Sequence, residues 1–437
     1  MKKKSKILSG AMALIMAVSL LAVPSTTAKA GLTLKNPVIT EDSSRQAGQR
    51  VIYDCVYFGS YPQAEVVPSE AAETTIDSAI RNGDDYIVDA TLYRKLQNAT
   101  WVNNETTIGT DRFRRMKSGD ALVAYYGYLS GYFMWKDKDS YHYFKYQPIK
   151  WRVLKANSKE AFLLADIALD NQKYHEEQEA ITWETCSLRS FLNQDFYQSA
   201  FNDKEKRAIL KAKVENKDNL YNGTEGGNNT SDKIFLLSES EVYADSAKVY
   251  GYINGYRIYD EARRCRSSAY AKAMGCQSGG GRCAWWLRST GAETDHAVRV
   301  CDSGNVDCYG VRVGLNDYGV RPALKLNLSS YTPAYAGTVN TKYGLRTQRI
   351  TTAKLKTVRA NSLQQKNVSF SLKARTNGDG VLSYKVVKGS SKYITVSKSG
   401  KVTLKKGCPK GSYQVMVTAS GTAKCQKATK KVTIKVG

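Results

Sequence analysis

Asp302, Asn305, Asp307, Tyr309, Arg312, Asn316 and Asp317 gather carboxylates, amides, a phenol and a guanidinium into one short run around Gly304-Asn305. Side chains alternate along strands, so such a run sets hydrogen-bonding and aromatic groups on an exposed face, a mix suited to a sugar or a protein surface. Asp302, Asn305 and Asp307 offer oxygen ligands to Ca²⁺, although fewer than a full coordination set. Cys301 and Cys308 bracket the same turn. A two-residue Gly-Asn hairpin pairs Ser303 with Val306, Asp302 with Asp307 and Cys301 with Cys308, which brings the two sulfurs within disulfide reach. The same two thiols, if free, form a soft pair suited to Cu(I).

Other chemistry is sparse. The only histidines are His142, His175 and His296, and no His-Glu-x-x-His, Cys-x-x-Cys, Walker loop or nucleophile elbow occurs. Ser-Gly-Gly-Gly-Arg at 278–282 reads as a plain loop, because it does not join a strand to a helix in phosphate-binding form. His175-Glu176-Glu177 reads as a solvated polar turn. No catalytic residue and no metal set is assigned, and the chain reads as non-catalytic.

The elements that would position the hairpin are legible around it. AWWLRS, HAVRVCDS, VDCYGVRV and GVRPALKLNL read as successive strands. Upstream, VIYDCVYFGSYPQ (51–63) reads as a strand ending in a Gly-Ser-Tyr-Pro turn, and IKWRVL and EAFLLAD as a strand pair. Residues 64–148 are a long insertion with a helix near 89–97. Leu188, Phe191, Leu192 and Phe196 make one face of an amphipathic helix. Asn202 with Glu205, and Ser238 with Glu241, are capping boxes that start two more, and a further helix is expected through 260–274. Residues 216–232, rich in Gly, Asn and Thr, are an exposed loop. Trp285 and Trp286 point to opposite faces of their strand, both into a core or an interface. Tyr-Gly-Tyr-x-x-Gly-Tyr occurs at 126–132 and 250–256 without surrounding similarity; exposed tyrosines there would suit stacking on sugar rings.

Charge divides the chain sharply. The total is +25, yet residues 338–437 hold 18 Lys and 4 Arg against Asp379 alone, leaving the middle of the chain close to neutral. Such a step marks a domain boundary and implies an anionic partner for the tail. From 349 onward, VSFSLKA, VLSYKVV, YITVS, KVTLKK, YQVMVTAS and KKVTIKV alternate with period two, as in an all-β sandwich. Cys408 and Cys425 flank one of these strands at opposite ends and do not pair. At the other end, Lys2, Lys3, Lys4 and Lys6 precede an apolar run and Ala28-Lys29-Ala30, the pattern of a cleaved secretory signal over 1–30. No later run reaches the length of a membrane span, so the mature chain is expected outside the cell, secreted or associated with the envelope, without a transmembrane anchor.

FGSYPQ, PIKWRVL, TWETCSLRSFLNQDFYQSAF, DKIFLLSESEV, AWWLRSTG and GVRPALKLNL, in that order over 51–328, resemble the DUF6273 family of exported and surface proteins of Gram-positive anaerobes. That family has no established activity, so the resemblance implies architecture rather than mechanism. Its closing strand, hairpin and Gly-Val-Arg-Pro are similar to the C-type-lectin-like fold of formylglycine-generating enzymes and of retroelement-diversified receptors. KGSYQVMVTASGTAKCQKATKKVTIKV resembles group-2 bacterial Ig-like repeats. Together these imply an α+β C-type-lectin-like recognition domain over 31–337 and a basic all-β Ig-like sandwich over 338–437. The expected partners are an extracellular glycan or protein for the first and an anionic envelope polymer for the second, with no nucleic acid and no cofactor beyond the open question of Ca²⁺. Two alternatives stand beside this: a copper oxidase using Cys301 and Cys308, similar to formylglycine-generating enzymes, and a purely structural wall protein.

Overall fold

A computed structural model describes residues 33–437 except 44, 46, 70, 71, 73–84, 121–136, 138, 277, 280, 281, 342–348, 354–356, 377–380 and 421–427. The signal-like segment 1–30, the tyrosine run 126–132 and Cys425 lie outside the described residues. Among the described residues strands take 43 % and helices 15 %, in several sheets with no barrel, so any site rests mainly on strands and loops. No helix among the described residues is long and apolar enough to cross a membrane.

The largest sheet runs in the order Val38–Glu41, Gln49–Val67, His142–Ala156, Glu160–Ala165, Ala323–Asn327 and Ile234–Phe235. Its longest strand, Gln49–Val67, passes straight through Gly59-Ser60-Tyr61-Pro62. The turn expected there is instead a pair of register shifts, between Tyr57 and Ser60 and between Pro62 and Ala64. Gly59 permits this: its φ is +70°, and a Cβ would fall 2.5 Å from the Phe201 ring. Pairing of this strand with His142–Ala156 continues to Val66 and Tyr143. The insertion therefore leaves after Val67 and returns before His142, and holds the expected helix at Ala90–Gln97.

A second, five-stranded sheet carries the hairpin, in the order Val306–Arg312, His296–Val300, Trp285–Thr290, Gly319–Val320 and Asp170–Asn171. All six residues of Trp285–Thr290 are buried because both faces are covered. Trp285 and Trp286 are fully enclosed, and their indole N–H groups donate to the carbonyls of Arg263 and Gln172, each at 3.0 Å. The stretch expected as one last strand splits. Gly319–Val320 stays in this sheet, pairing parallel to Trp285, and after Pro322 the chain joins the large sheet as Ala323–Asn327.

Helices cover the core at short range. Ser187–Phe191, a π turn at Leu192–Phe196 and Tyr197–Ala200 follow one another and bury Leu188, Leu192 and Phe196. Both capping boxes form. The helix expected over 260–274 is reduced to Ala269–Ala273, because Arg263 is fully buried and donates to the carbonyls of Val242, Gly255 and Ile258. Those bonds hold residues upstream of Ser268 out of a helical repeat.

Ala334–Asn340 returns to the large sheet, pairing Asp54 with Thr338 and Ile52 with Asn340. The first unit thus extends past 338, and the boundary falls beyond Thr341, which exchanges bonds with Val51. A separate core follows, built from Ile350, Leu363, Val402, Leu404, Val415, Val417 and Ile434 among others. Two three-stranded sheets contribute to it: Val368–Ser371, Lys401–Leu404 and Ile394–Val396; and Leu382–Lys388, Gly411–Ala419 and Ala428–Val436. A short helix, Ala360–Gln365, has no counterpart in the strand pattern.

Candidate functional site

The hairpin turns earlier than a two-residue Gly304-Asn305 loop would have it. Val300 pairs with Val306, Cys301 accepts from Gly304 at 2.9 Å, and Cys301 donates to Asn305 at 2.9 Å. The loop is thus the three residues 302–304, with Gly304 at φ +89° in the left-handed position such loops require. This register corrects the Cys301–Cys308 pairing: Cys301 lies opposite Asn305, both thiols are free, and Cys308 is buried three positions farther along the strand. Neither a disulfide nor a two-thiol copper site forms there, which removes the geometric basis of the oxidase alternative.

The seven sequence candidates separate. Asn316 and Asp317 are each only 5 % exposed, and the Asn316 carbonyl accepts from the Asn171 amide at 2.6 Å; they belong to the interior rather than to a binding face. Asp307 is paired with Arg299 at 3.2 Å, whose guanidinium lies 4.7 Å from the Tyr318 ring centre. Asn305 accepts from the Ser303 hydroxyl, and Asp302 is exposed at the turn. Asp307 and Asn305 are thus engaged elsewhere, and the trio is not gathered as a Ca²⁺ cradle. Arg312 is exposed at the strand end beside His296. Tyr309 alone joins a larger exposed group.

Tyr309, half exposed, meets Tyr221 of the 216–229 loop at 5.4 Å between ring centres, and Tyr221 meets Tyr256 at 5.1 Å. Tyr243 backs Tyr256 at 6.0 Å, and the Arg257 guanidinium lies 5.3 Å from the Tyr256 ring. Three segments far apart in the chain therefore present one ledge of rings with polar tips.

Buried polar groups hold the ledge. Asn219, 2 % exposed, donates through its side-chain amide to the carbonyls of Thr290 at 2.8 Å and Cys308 at 2.9 Å. Its Oδ1 accepts from the backbone N–H groups of Tyr221 and Asn222. The neighbouring N–H of Leu220 donates to the Glu239 carboxylate at 3.1 Å, which also accepts from the Tyr243 hydroxyl at 2.9 Å. Burial pushes the Glu239 carboxyl up to about 7. Val306 donates to the Tyr256 carbonyl at 2.7 Å, tying the third segment to the hairpin.

Of the tyrosine run at 250–256, Tyr252 is fully buried, Tyr250 packs on Phe162 at 5.4 Å, and only Tyr256 reaches the ledge. Tyr221, Asn219 and Glu239 escaped the sequence reading. The one available signal was Asn219 followed at three residues by Asn222 in a polar loop, a pattern in which an Asn side chain folds the backbone around itself. Elsewhere, His175 accepts from the Ser187 N–H at 3.1 Å and contacts Glu179 at 2.9 Å, so it tops the following helix. Among the described residues the one trio of metal-capable side chains is Glu293, Asp295 and His296. There Asp295 is already held by Gln178 and His296, each at 2.7 Å.

No curated protein matches the chain. Its hairpin and all three ledge tyrosines fall within residues 158–328, the stretch that matches the family described as "Domain of unknown function (DUF6273)".

Proposed function

We propose that the chain is an exported, non-catalytic binding protein that takes an extracellular glycan or protein on the Tyr221–Tyr256–Tyr309 ledge. In this reading the first unit is C-type-lectin-like, and the basic second unit is an Ig-like spacer that retains it on an anionic envelope polymer. The observation that carries it is the convergence of the exposed Tyr221 and Tyr309 with the half-buried Tyr256 on a ledge that buried polar groups hold in place. Tyrosine supplies broad contact area and a hydroxyl while losing only two side-chain torsions on binding, which favours its use at recognition surfaces.

The basic unit supports the second half of the proposal. On one face of its Leu382–Lys388, Gly411–Ala419 and Ala428–Val436 sheet, Lys385, Met416 and Lys431 stand in a cross-strand row, and Lys435 lies along the same edge strand. Lysines keep sheet edges soluble, but a surplus carried against one acid also attracts polyanions by counterion release. The test is binding of the full chain to arrayed glycans and to immobilised teichoic-type polymer, at low and high salt. Ledge binding should survive high salt and polymer binding should not. Polymer retention unchanged by salt would count against the electrostatic tether.

A further inference from the structure

Cys265, Cys276 and Cys283 are buried and gathered at one place beneath the small sheet. Cys265 and Cys283 face each other across an antiparallel backbone bridge, with the Cys283 N–H donating to the Cys265 carbonyl at 3.1 Å. The Cα atoms of a hydrogen-bonded pair of this kind are about 5.5 Å apart, inside the Cα separation that a disulfide spans. Gly319 leaves the third thiol room: a Cβ there would lie 3.2 Å from the Cys276 sulfur and 3.3 Å from the Cys283 sulfur. Cys283 thus stands between the other two cysteines, opposite Cys265 across the bridge and beside Cys276 at Gly319. Arg321 adds a fixed positive charge. It is fully buried, lies 4.9 Å from the Trp285 ring centre, and its Nη2 has no hydrogen-bond partner among the described residues. In the folded chain the Cys265 thiol is held well above its ordinary pKa, chiefly by burial, and Cys283 is raised as well; the Arg321 charge offsets part of that rise on both.

We propose that these residues form a disulfide site centred on Cys283, which bonds Cys265 or Cys276 and no other cysteine. The oxidant is a low-molecular-weight disulfide. One S–S bond forms between Cys283 and its partner, the reagent's S–S bond is reduced to two thiols, and those thiols take the two protons released. The two isomers interconvert when the remaining thiol, as thiolate, attacks the Cys283 sulfur and expels the other cysteine, which takes up the proton. Exposure of the three residues is at most 2 %, so oxidation belongs to folding, before the sulfurs are covered.

The full chain is refolded with oxidised and reduced glutathione, its free thiols are alkylated in denaturant, and tryptic peptides are mapped by mass. Arg266, Lys272 and Arg282 separate the three cysteines into different peptides. Wild-type protein is expected to show Cys283 linked to Cys265 or Cys276. Cys276→Ser should leave only the Cys265–Cys283 link, Cys265→Ser only the Cys276–Cys283 link, and Cys283→Ser should leave both other thiols alkylated. Full alkylation of wild-type Cys283, its linkage to a cysteine outside the trio, or a Cys265–Cys276 bond overturns the proposal. The wild-type map decides this even where a variant fails to refold.

Discussion

The side-chain amide of Asn219 donates a 2.9 Å hydrogen bond to the backbone carbonyl of Cys308, and so ties the loop carrying Tyr221 to the strand carrying Tyr309. Replacing Asn219 by Ala strips partners from two buried carbonyls and two backbone N–H groups. A buried polar group left unpaired costs about 1–3 kcal/mol. Asn219→Ala should therefore lower the denaturant midpoint and loosen the ledge, whereas a change at exposed Asp302 should leave the midpoint in place. Equal midpoints for wild type and Asn219→Ala would show that water replaces the lost bonds without penalty.

Glu239 gives the stability of this region a pH dependence with a defined sign. Its carboxyl rises from an ordinary 4.5 to about 7 in the folded chain, chiefly through burial. Between those values the native state holds a proton that the unfolded state has released, so stability is fully present below about pH 4.5 and falls as pH rises through about 7. The loss across that window is about 3 kcal/mol. Asp170, pushed up to about 6 by burial, acts in the same direction. Comparison of wild type with Glu239→Gln isolates the Glu239 share: the variant's unfolding free energy should fall less steeply from pH 5 to pH 7. Parallel curves would remove Glu239 from the account.

Gly304 sits where no other residue fits. Its φ is +89°, and an added Cβ would lie 2.3 Å from the Asp260 carbonyl oxygen. Left-handed strain alone costs about 1–2 kcal/mol, and here a backbone atom blocks relaxation. Gly304→Ala should destabilise the fold by at least that amount, as read by thermal unfolding, and should weaken the backbone pairing of 256 with 306. An unchanged melting midpoint would mean that the turn is not built as described.

Local features were legible because their causes are local. The Asn202 and Ser238 capping boxes need only a few adjacent residues, and the alternation in 296–300 and 306–312 needs only the strand itself. Gly304-Asn305 misled because the same dipeptide serves a two-residue turn and the end of a three-residue one, and the choice shifts every cross-strand partner, Cys301 and Cys308 included. The first part of the helix expected over 260–274 was undone by Arg263, whose acceptors at Val242, Gly255 and Ile258 are tertiary. Likewise no periodicity marks Tyr221, Tyr256 and Tyr309 as neighbours, because their contact is a product of three separate connections closing on one sheet edge. Within the hairpin, only Tyr309 of the seven candidates joins that ledge.

The measurement closest to the central claim compares wild-type full chain with Tyr309→Ala and Tyr221→Ala on an array of defined glycans and extracellular proteins, alongside thermal unfolding of each. The account predicts saturable, salt-resistant wild-type binding to one ligand class. It also predicts a loss of about tenfold or more in each variant, ~1.4 kcal/mol, with little change in melting midpoint. Saturable binding left intact by both substitutions would place recognition elsewhere on the molecule, and a wild-type chain that binds nothing on the array would contradict the ledge as a recognition surface.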